Sequence, residues 1–266
     1  MEIFDTHCHL DVEEFDADRA EVIAAARANR VTGIVVPAIH RGNWDRVLAL
    51  CASQAGLYAA LGMHPVYVER HREEHLQDLG RRLAQERDVI AVGEIGLDYY
   101  VEGLPRDHQQ RFFERQLEIA RDADLPVLLH VRKAHDAVLA TLRRIRVKGG
   151  IAHAYNGSLP QARQYVDLGF RLGFGGTLTY ERSRHIRGLA RELPREAIVL
   201  ETDAPDMVVS QHRGERNSPA YLRHCLEALA EVRGEDLETL AMATTRNARA
   251  VLGLGEADHA AGGVRR

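Results

Sequence analysis

Histidines and carboxylates with the spacing of metal ligands stand at several separate points of the sequence. His7 and His9 lie two residues apart where a short apolar run ends, so their side chains would share one side of a strand. Glu94, His130 and His153 each end a further apolar run. A buried imidazole or carboxylate is costly unless it is paired or bound to a metal. The repetition therefore favours a site for divalent cations over histidines that merely bond backbone carbonyls.

A further acidic stretch, Glu201-Thr202-Asp203, follows the last apolar run and supplies more ligands. Four imidazoles with two or three carboxylates are enough for two adjacent ions. Two ions about 3.5–4 Å apart lower the pKa of a shared water and neutralise charge on a phosphoryl oxygen. Imidazole nitrogen favours Zn²⁺, Mn²⁺, Fe²⁺ or Ni²⁺ over Mg²⁺, which prefers oxygen. We expect two divalent metal ions and hydrolysis by a water that they activate.

These residues need a scaffold that brings distant segments to one rim, and the hydrophobic pattern predicts one. Eight short apolar runs alternate with longer amphipathic stretches at roughly 25- to 30-residue spacing, which is typical of a parallel sheet with crossover helices. The runs are Ile3–His7, Gly33–Pro37, Leu57–Gly62, Val89–Glu94, Val127–His130, Gly150–His153, Phe170–Phe174 and Ile198–Glu201. An open doubly wound sheet is the alternative, but no G-x-G-x-x-G follows the first run. We predict an α/β fold, a single (β/α)8 TIM barrel, with catalytic groups at the carboxyl ends of its strands.

The end of the chain completes this organisation. Residues Pro219–Val232 and Glu235–Leu252 have helical patterns that close the barrel, the last as an extra C-terminal helix. The glycines and arginines that follow predict a frayed end. The sequence therefore predicts one hydrolase domain over residues 1–253 and a flexible tail over residues 254–266.

Composition limits the classes of function that remain. The chain has 266 residues, of which 45% are hydrophobic and 28% charged, so it is neither disordered nor fibrous. Its net charge of −4 gives no general attraction to DNA, so any nucleic-acid contact must be local. Its three cysteines are too few for a disulfide framework and indicate a reducing compartment. With no signal peptide and no apolar run of about 18 residues, we expect a cytoplasmic monomer with no membrane partner.

Ordered motifs along the chain resemble the signature set of the TatD family of metal-dependent hydrolases, amidohydrolase-like barrels that include DNases. The motifs are His7-x-His9, Gly62-x-His64-Pro65, Gly93-Glu94-Ile95-Gly96-Leu97-Asp98, His130-x-Arg132 and Glu201-Thr202-Asp203-Ala204-Pro205. They run from residue 5 to residue 206, so the resemblance covers nearly the whole chain. The stretch Ala204–Met207 is most similar to the YjjV-like branch of the family.

The resemblance implies a ligand set. His7, His9 and Asp203 match the family's ligands for a first metal, Glu94 matches a bridging carboxylate, and His130 with His153 matches a second metal site. Family DNases are commonly assayed with Mg²⁺, so that ion stays among the candidates. The chain departs from the family pattern after His153, where Ala-Tyr-Asn-Gly-Ser replaces Cys-Phe-Ser-Gly-Ser. Substrate contacts of that segment are therefore not carried over.

Roles for the remaining site residues follow from their positions. Glu94 and Asp203 are the predicted catalytic residues, with Asp203 orienting the attacking water and accepting its proton. Glu201, two residues before Asp203, is expected to support a ligand imidazole, or else to form a salt bridge within the barrel.

Three residues are assigned to substrate binding. His64 follows the third run and would contact a substrate phosphate or the leaving oxygen. Arg132, two residues past His130, could grip a phosphate through two hydrogen bonds. Asp98 joins this group and could also bond the ring of a ligand histidine.

We therefore predict a hydrolase of ester bonds, a phosphodiesterase or deoxyribonuclease that acts on single-stranded DNA or another phosphodiester. The alternative is a metallo-hydrolase of a C–N or C–O bond in a small molecule, and a non-enzymatic metal binder is a third reading. His71 to His75 matches the letters H-x-x-E-H of a peptidase motif, but the stretch is polar and predicts an exposed helix start.

Overall fold

Eight parallel strands, paired in the order of the sequence, form one sheet in the computed structural model, which describes residues 1–255. The strands are β1 (Ile3–Asp5), β2 (Val31–Pro37), β3 (Leu57–Leu61), β4 (Val89–Asp98), β5 (Val127–Arg132), β6 (Gly150–Ala152), β7 (Phe170–Phe174) and β8 (Ile198–Leu200). The two ends of the sheet are joined by backbone hydrogen bonds from Thr6 N–H to the Leu200 carbonyl (3.0 Å) and from Asp203 N–H to the His7 carbonyl (2.8 Å). The predicted barrel is confirmed.

A helix follows every strand, and one more ends the fold. The helices are α1 (Arg19–Ala28), α2 (Trp44–Ser53), α3 (Glu73–Gln85), α4 (Arg106–Asp122), α5 (His135–Arg144), α6 (Leu159–Asp167), α7 (Arg184–Glu192), α8 (Leu222–Arg233) and α9 (Leu237–Leu252). Local sequence sets several of these bounds. The Ser158 hydroxyl accepts a hydrogen bond from Gln161 N–H (3.3 Å) before α6 begins. Gly234 and Gly253 end α8 and α9 in the left-handed conformation that glycine adopts most easily.

The extra helix α9 lies at the amino-terminal ends of the strands. The Thr245 hydroxyl donates to the Glu2 carbonyl (3.1 Å), and the Asn247 amide donates to the Ile198 carbonyl (2.8 Å). Ala248 and Leu252 of α9 join an apolar cluster that takes residues from seven of the eight strands. A larger cluster packs the other face of the strands against the surrounding helices. The amino-terminal end of the barrel is thus covered, which leaves the carboxyl end for a site.

Two strands are longer than the sequence predicts. β4 continues past Glu94 to Asp98, and β5 continues past His130 to Arg132, with Gly96 paired to His130 and Asp98 paired to Arg132. The expectation that Glu94 and His130 end their strands is therefore wrong. A charged residue usually marks the end of an apolar run, but here each polar side chain has buried partners that offset the cost of burial.

Beyond α9, Leu254 is still buried, and its N–H bonds the Arg249 carbonyl (2.9 Å). The rest of the predicted tail, residues 256–266, lies outside the described residues. Within residues 1–255, no helix has both the length and the apolar character needed to cross a membrane.

Candidate metal centre

The carboxylate of Glu94 lies at the centre of the carboxyl-terminal rim. It projects from β4, and only 2% of the residue is exposed. One of its oxygens, Oε2, lies 3.1 Å from His7 Nε2 and 3.6 Å from His9 Nε2. Both histidines come from the segment just after β1. The first predicted ligand pair therefore faces one oxygen of Glu94.

The other oxygen of Glu94, Oε1, faces a second group of imidazoles. His64 Nε2 lies 3.3 Å away, His130 Nδ1 lies 3.0 Å away and His153 Nε2 lies 3.3 Å away. His130 lies inside β5, while His64 and His153 lie just after β3 and β6. Each oxygen of one buried carboxylate thus has its own set of nitrogen donors.

Asp203 approaches the first group from the segment after β8. Its Oδ1 lies 3.8 Å from His7 Nε2 and 3.6 Å from His9 Nε2. Its backbone has φ of +56°, in the left-handed region that non-glycine residues seldom adopt. The side chain is 16% exposed, so Asp203 is open to the cavity, whereas Glu94 is almost fully enclosed.

Burial and charge together set the protonation states of the centre. Burial by itself would raise the pKa of Glu94, but the surrounding imidazoles of His64, His7 and His153 lower it well below its usual range. Burial lowers the pKa of His7, and the ring of His153, stacked on it at 4.0 Å, lowers it further. The carboxylates of Glu94 and Glu201 have the opposite effect on His153 and, against the effect of burial, raise its pKa well above the usual value. The ionised carboxylate of Glu94 and the neutral ring of His7 are the forms in which these two side chains bind metals.

The donor set fits divalent cations. His7 Nε2 and His9 Nε2 are 3.3 Å apart, and both also approach Glu94 Oε2. Hydrogen bonds alone cannot satisfy all three atoms well, since a neutral imidazole donates from only one nitrogen, whereas one cation can accept all three lone pairs. Three groups of residues could each hold an ion, because the donor atoms within each group all lie within 4.8 Å of one another. The groups are His7, His153 and Asp203; His7, His9 and Glu94; and His64, Glu94 and His130.

Asp98, the last residue of β4, contacts the second imidazole group. Its Oδ2 lies 2.9 Å from His130 Nε2, on the side of the ring away from Glu94. Its Oδ1 accepts hydrogen bonds from the N–H groups of Tyr100 (2.8 Å) and Val101 (2.9 Å). Of the two contacts expected for Asp98, the structure shows the one to the ring of a candidate ligand. Asp98 can therefore fix the orientation of His130.

Glu201 supports His153 in a similar way. Its Oε1 lies 3.3 Å from His153 Nδ1 and accepts a hydrogen bond from Ala154 N–H (2.5 Å). Among residues 1–255, its ion-pair partner is this histidine and not a lysine or arginine. Glu201 can thus hold the His153 ring with Nε2 directed at Glu94.

The glycines after residue 172 explain how Glu201 fits. A Cβ on Gly173 would lie 2.1 Å from Glu201 Oε2, and a Cβ on Gly175 would lie 2.9 Å from the Glu201 carbonyl. Gly173 therefore provides space for the Glu201 carboxylate, and Gly175 provides space for the backbone of the same residue. In the sequence the Gly173–Gly176 stretch is equally compatible with phosphate binding, because the residue that fills the space is 28 positions away.

Sequence reasoning missed Asp5 and Thr202, which join the first ligand segment to the last. Asp5 Oδ1 accepts from the N–H groups of His7 (3.2 Å) and Thr202 (3.0 Å), and its Oδ2 accepts from the Thr202 hydroxyl (2.6 Å). Burial raises the pKa of Asp5 to about 8 in spite of these bonds. The available signal was a carboxylate at the end of a strand two residues before His7.

His64 lies among the imidazoles around Glu94 and is held there by a residue that sequence reasoning misplaced. The expectation that His71 begins an exposed helix is wrong, because this residue is only 1% exposed and its Nε2 lies 2.9 Å from the His64 carbonyl. The helix begins at Glu73, so the polar stretch does start a helix, but His71 turns inward to fix the segment of His64.

A cavity of about 670 Å³ opens above the centre. Arg132 is the one lysine or arginine that lines it within residues 1–255, while Glu14 and Asp206 line the side formed by the β1 and β8 loops. Tyr67, Tyr155 and other apolar groups contribute much of the wall. The cavity therefore combines buried imidazoles, one guanidinium and apolar surface.

Comparison with known proteins gives consistent matches over this whole arrangement. A family model described as TatD related DNase matches residues 4–253. The uncharacterized metal-dependent hydrolase YjjV of Escherichia coli K12 is 39% identical over 245 residues, which cover 91% of this chain and 95% of YjjV. A crystal structure of YjjV, described as a TatD homolog, superposes with a TM-score of 0.92 at 38% identity and covers 95% of this chain and 98% of its own.

A more distant relative has a more specific name. The 3′-5′ ssDNA/RNA exonuclease TatD of Pantoea ananatis is 33% identical over 267 residues, covering 95% of this chain and 100% of that protein. The family model spans residues 4–253, so it includes every residue of the centre.

Proposed function

The chain belongs to the TatD family of metal-dependent hydrolases, and we propose that it is a two-metal phosphodiesterase that cleaves single-stranded DNA. The observation that carries the proposal is Glu94: one buried carboxylate presents each oxygen to a separate group of imidazoles. A carboxylate in this position would help to hold two divalent cations together with the imidazoles on either side of it. A single cation would leave one of the two histidine groups without a function.

We assign the two ligand sets accordingly. His7, His9 and Asp203 with Glu94 Oε2 would hold one ion, and His130 and His153 with Glu94 Oε1 would hold the other. His64 lies as close to Oε1 as His153 does, at 3.3 Å, so it is placed either to complete the second set or to meet the substrate. Divalent ions bound there would supply Lewis acidity at a phosphoryl oxygen and acidify water enough for attack near neutral pH.

The chain's own residues would orient the reaction and manage its proton. Asp203 is more exposed to the cavity than Glu94, so it can hydrogen-bond the attacking water and accept its proton. Asp98 and Glu201 hold the rings of His130 and His153, so that no ligand must reorganise when substrate binds. Arg132 stands at the cavity wall, where its guanidinium can bind phosphate oxygens.

Two observations favour a nucleic acid as substrate. Relatives that carry the name ssDNA/RNA exonuclease share about a third of their residues with this chain over nearly their full length. The cavity also offers a guanidinium for phosphate beside apolar walls for a base. The acidic net charge predicts modest affinity for this substrate.

Hydrolysis of a C–N or C–O bond in a small molecule is the second candidate. It is favoured by the cavity volume of about 670 Å³, which lies within the range of small-ligand sites, and by the presence of only one basic side chain among the described lining residues. We further propose a cytoplasmic location, since all three cysteines are free in the structure, and we keep the expectation that the protein is a monomer.

The two candidates can be separated by one set of assays. Metal-loaded protein is incubated with end-labelled single-stranded oligonucleotides, with bis-p-nitrophenyl phosphate, and with a panel of amides and lactones. We expect cleavage of the phosphodiesters, and Arg132→Leu should raise KM by roughly tenfold or more through loss of a charged hydrogen bond. Arg143→Leu, on the exposed face of α5, is the matched control. Activity on the panel without cleavage of either phosphodiester would overturn the proposal.

A further inference from the structure

An exposed tyrosine on the rim beside the cavity carries two cationic side chains on its ring. Tyr100, which follows β4, is 52% exposed. The Arg132 guanidinium lies 4.1 Å from the centre of its ring, and the Lys133 ammonium lies 4.9 Å from it. The next residue, Val101, is also exposed. We call Tyr100, Arg132 and Lys133 the rim cluster.

The rim cluster is fixed relative to the metal centre by Asp98. Through Oδ1 this carboxylate receives the N–H of Tyr100 at 2.8 Å, and through Oδ2 it lies 2.9 Å from His130 Nε2 and 3.9 Å from the Arg132 guanidinium. The Tyr99 N–H donates to the Arg132 carbonyl (2.9 Å), so the β4 and β5 ends stay paired up to the cluster. A ligand that touches the cluster and the centre together would meet a preformed surface.

Lys133 is unusual within this chain. The chain has 35 lysines and arginines, and Lys133 is one of only two lysines among them. Its backbone has φ of +52°, a conformation that a lysine adopts at a cost. Within residues 1–255, no carboxylate lies within ion-pair distance of its ammonium group. The positive charge of Lys133 is therefore available to a ligand.

Basic side chains lie on one side of the cavity and acidic side chains on the other, so a polyanion would bind toward the basic side. The β4 and β5 side carries Arg132 and Lys133, while the β1 and β8 side, across the barrel, carries Glu14 and Asp206. A single-stranded nucleic acid with several phosphates would be attracted to the β4 and β5 side and repelled from the β1 and β8 side. An aromatic ring beside a cationic side chain is the combination by which proteins bind single strands without reading their sequence.

We propose that the rim cluster binds the nucleotide adjacent to the scissile phosphodiester, with its base against the exposed part of the Tyr100 ring that the two cations leave uncovered and its phosphate against Lys133 and Arg132. The inference rests on the proposed function and adds a path for the bound nucleic acid, which would leave the centre over the carboxyl ends of β4 and β5. The subsite should serve a single-stranded substrate, since a base must be unpaired to stack on a side chain.

The test measures binding of metal-loaded protein to a fluorescein-labelled hexathymidylate with phosphorothioate linkages, which resist cleavage, and to thymidine monophosphate. Tyr100→Leu should weaken hexamer binding on the order of tenfold. Lys133→Gln should weaken it as well and reduce the slope of log Kd against log salt by about 0.7. Both losses should be larger for the hexamer than for the mononucleotide. Lys148→Gln is the matched control, because Lys148 pairs with Asp124 (2.7 Å) and precedes β6, at the other end of the barrel.

The outcomes separate the subsite from the proposed function. Wild-type cleavage of oligonucleotides with unchanged hexamer binding in both variants would overturn the subsite and leave the proposed function standing. Equal weakening by Lys133→Gln and Lys148→Gln would also overturn it, because the effect would then be one of overall charge. A wild-type protein that neither binds nor cleaves any oligonucleotide would overturn both. Thermal melts of each variant show whether a loss comes from unfolding.

Discussion

Replacing Gly173 by alanine should displace Glu201 and, through it, His153. The new Cβ would lie 2.1 Å from Glu201 Oε2 and 2.6 Å from its Cδ, distances at which one of the two groups must move. Gly173 is held in β7, and Glu201 is buried with no exposed direction to turn to. The carboxylate must then leave the Ala154 N–H and the His153 ring.

The size of the effect follows from these contacts. Overpacking of a buried site costs about 2 kcal/mol. Loss of the hydrogen bond from Ala154 N–H to a charged oxygen costs about 2 kcal/mol more. The smaller entropy of an alanine in the unfolded chain offsets roughly 0.5–1 kcal/mol. We therefore expect the free energy of unfolding to fall by about 3 kcal/mol, and affinity for the second metal to fall by about 10- to 100-fold, as when a group that orients a ligand is lost.

Urea unfolding of the metal-free protein measures the first effect, and competition with a chelating dye measures the second. Gly80→Ala is the control, because a Cβ at this position in α3 would meet nothing within 4 Å. It should stabilise the protein by roughly 0.5–1 kcal/mol. Glu201→Asp shortens the side chain, so it should partly relieve Gly173→Ala in a double-mutant cycle. The reasoning is refuted if Gly173→Ala unfolds like the wild type and binds the second ion with unchanged affinity.

Three further predictions concern the centre and the outer helices. Asp203→Asn should lower kcat by at least about 100-fold in oligonucleotide cleavage, since the group that accepts the proton is lost, and an undiminished kcat would reassign that role. Saturation with Zn²⁺ or Mn²⁺ should raise Tm by roughly 5 °C over the chelated protein in a scanning melt, and a Tm independent of the ion would contradict binding to the folded state. Hydrogen bonds from Thr239 lower the pKa of Asp236, so its ionised form stabilises α9 above about pH 4 and this contribution is lost as pH falls through the folded pKa. Asparagine still caps the helix, so the Tm of Asp236→Asn should fall less between about pH 5 and pH 3 than the Tm of the wild type. An equal fall would show that ionised Asp236 does not cause the acid-dependent loss of stability.

The barrel and the composition of the centre could be predicted because both depend on local patterns. Each strand contains a short apolar run, and the runs recur at regular spacing, although β4 and β5 extend beyond theirs. His7, His9 and His153 lie at or just beyond the ends of such runs. The rule that sites gather at the carboxyl ends of barrel strands then places them together.

What could not be predicted depends on contacts between distant segments. Glu94 lies inside β4 because imidazoles from other segments surround it. Ile95 and Leu97 continue the apolar run past Glu94, but this local pattern does not show which side chains offset the burial of its charge. His71 is buried because the His64 carbonyl needs a partner, although the letters around it are polar. The role of Gly173 depends on the shape of Glu201, which reaches it only after folding.

The central claim, two ions held by the two oxygens of Glu94, is tested most directly by elemental analysis of the wild type beside Glu94→Gln. A glutamine keeps the size of the side chain but offers one neutral oxygen, so it cannot bridge two cations as a carboxylate does. We predict about two ions per wild-type chain and fewer than one in the variant, with both proteins folded by circular dichroism. A wild type that retains at most one ion, or a variant that retains both, would contradict the account.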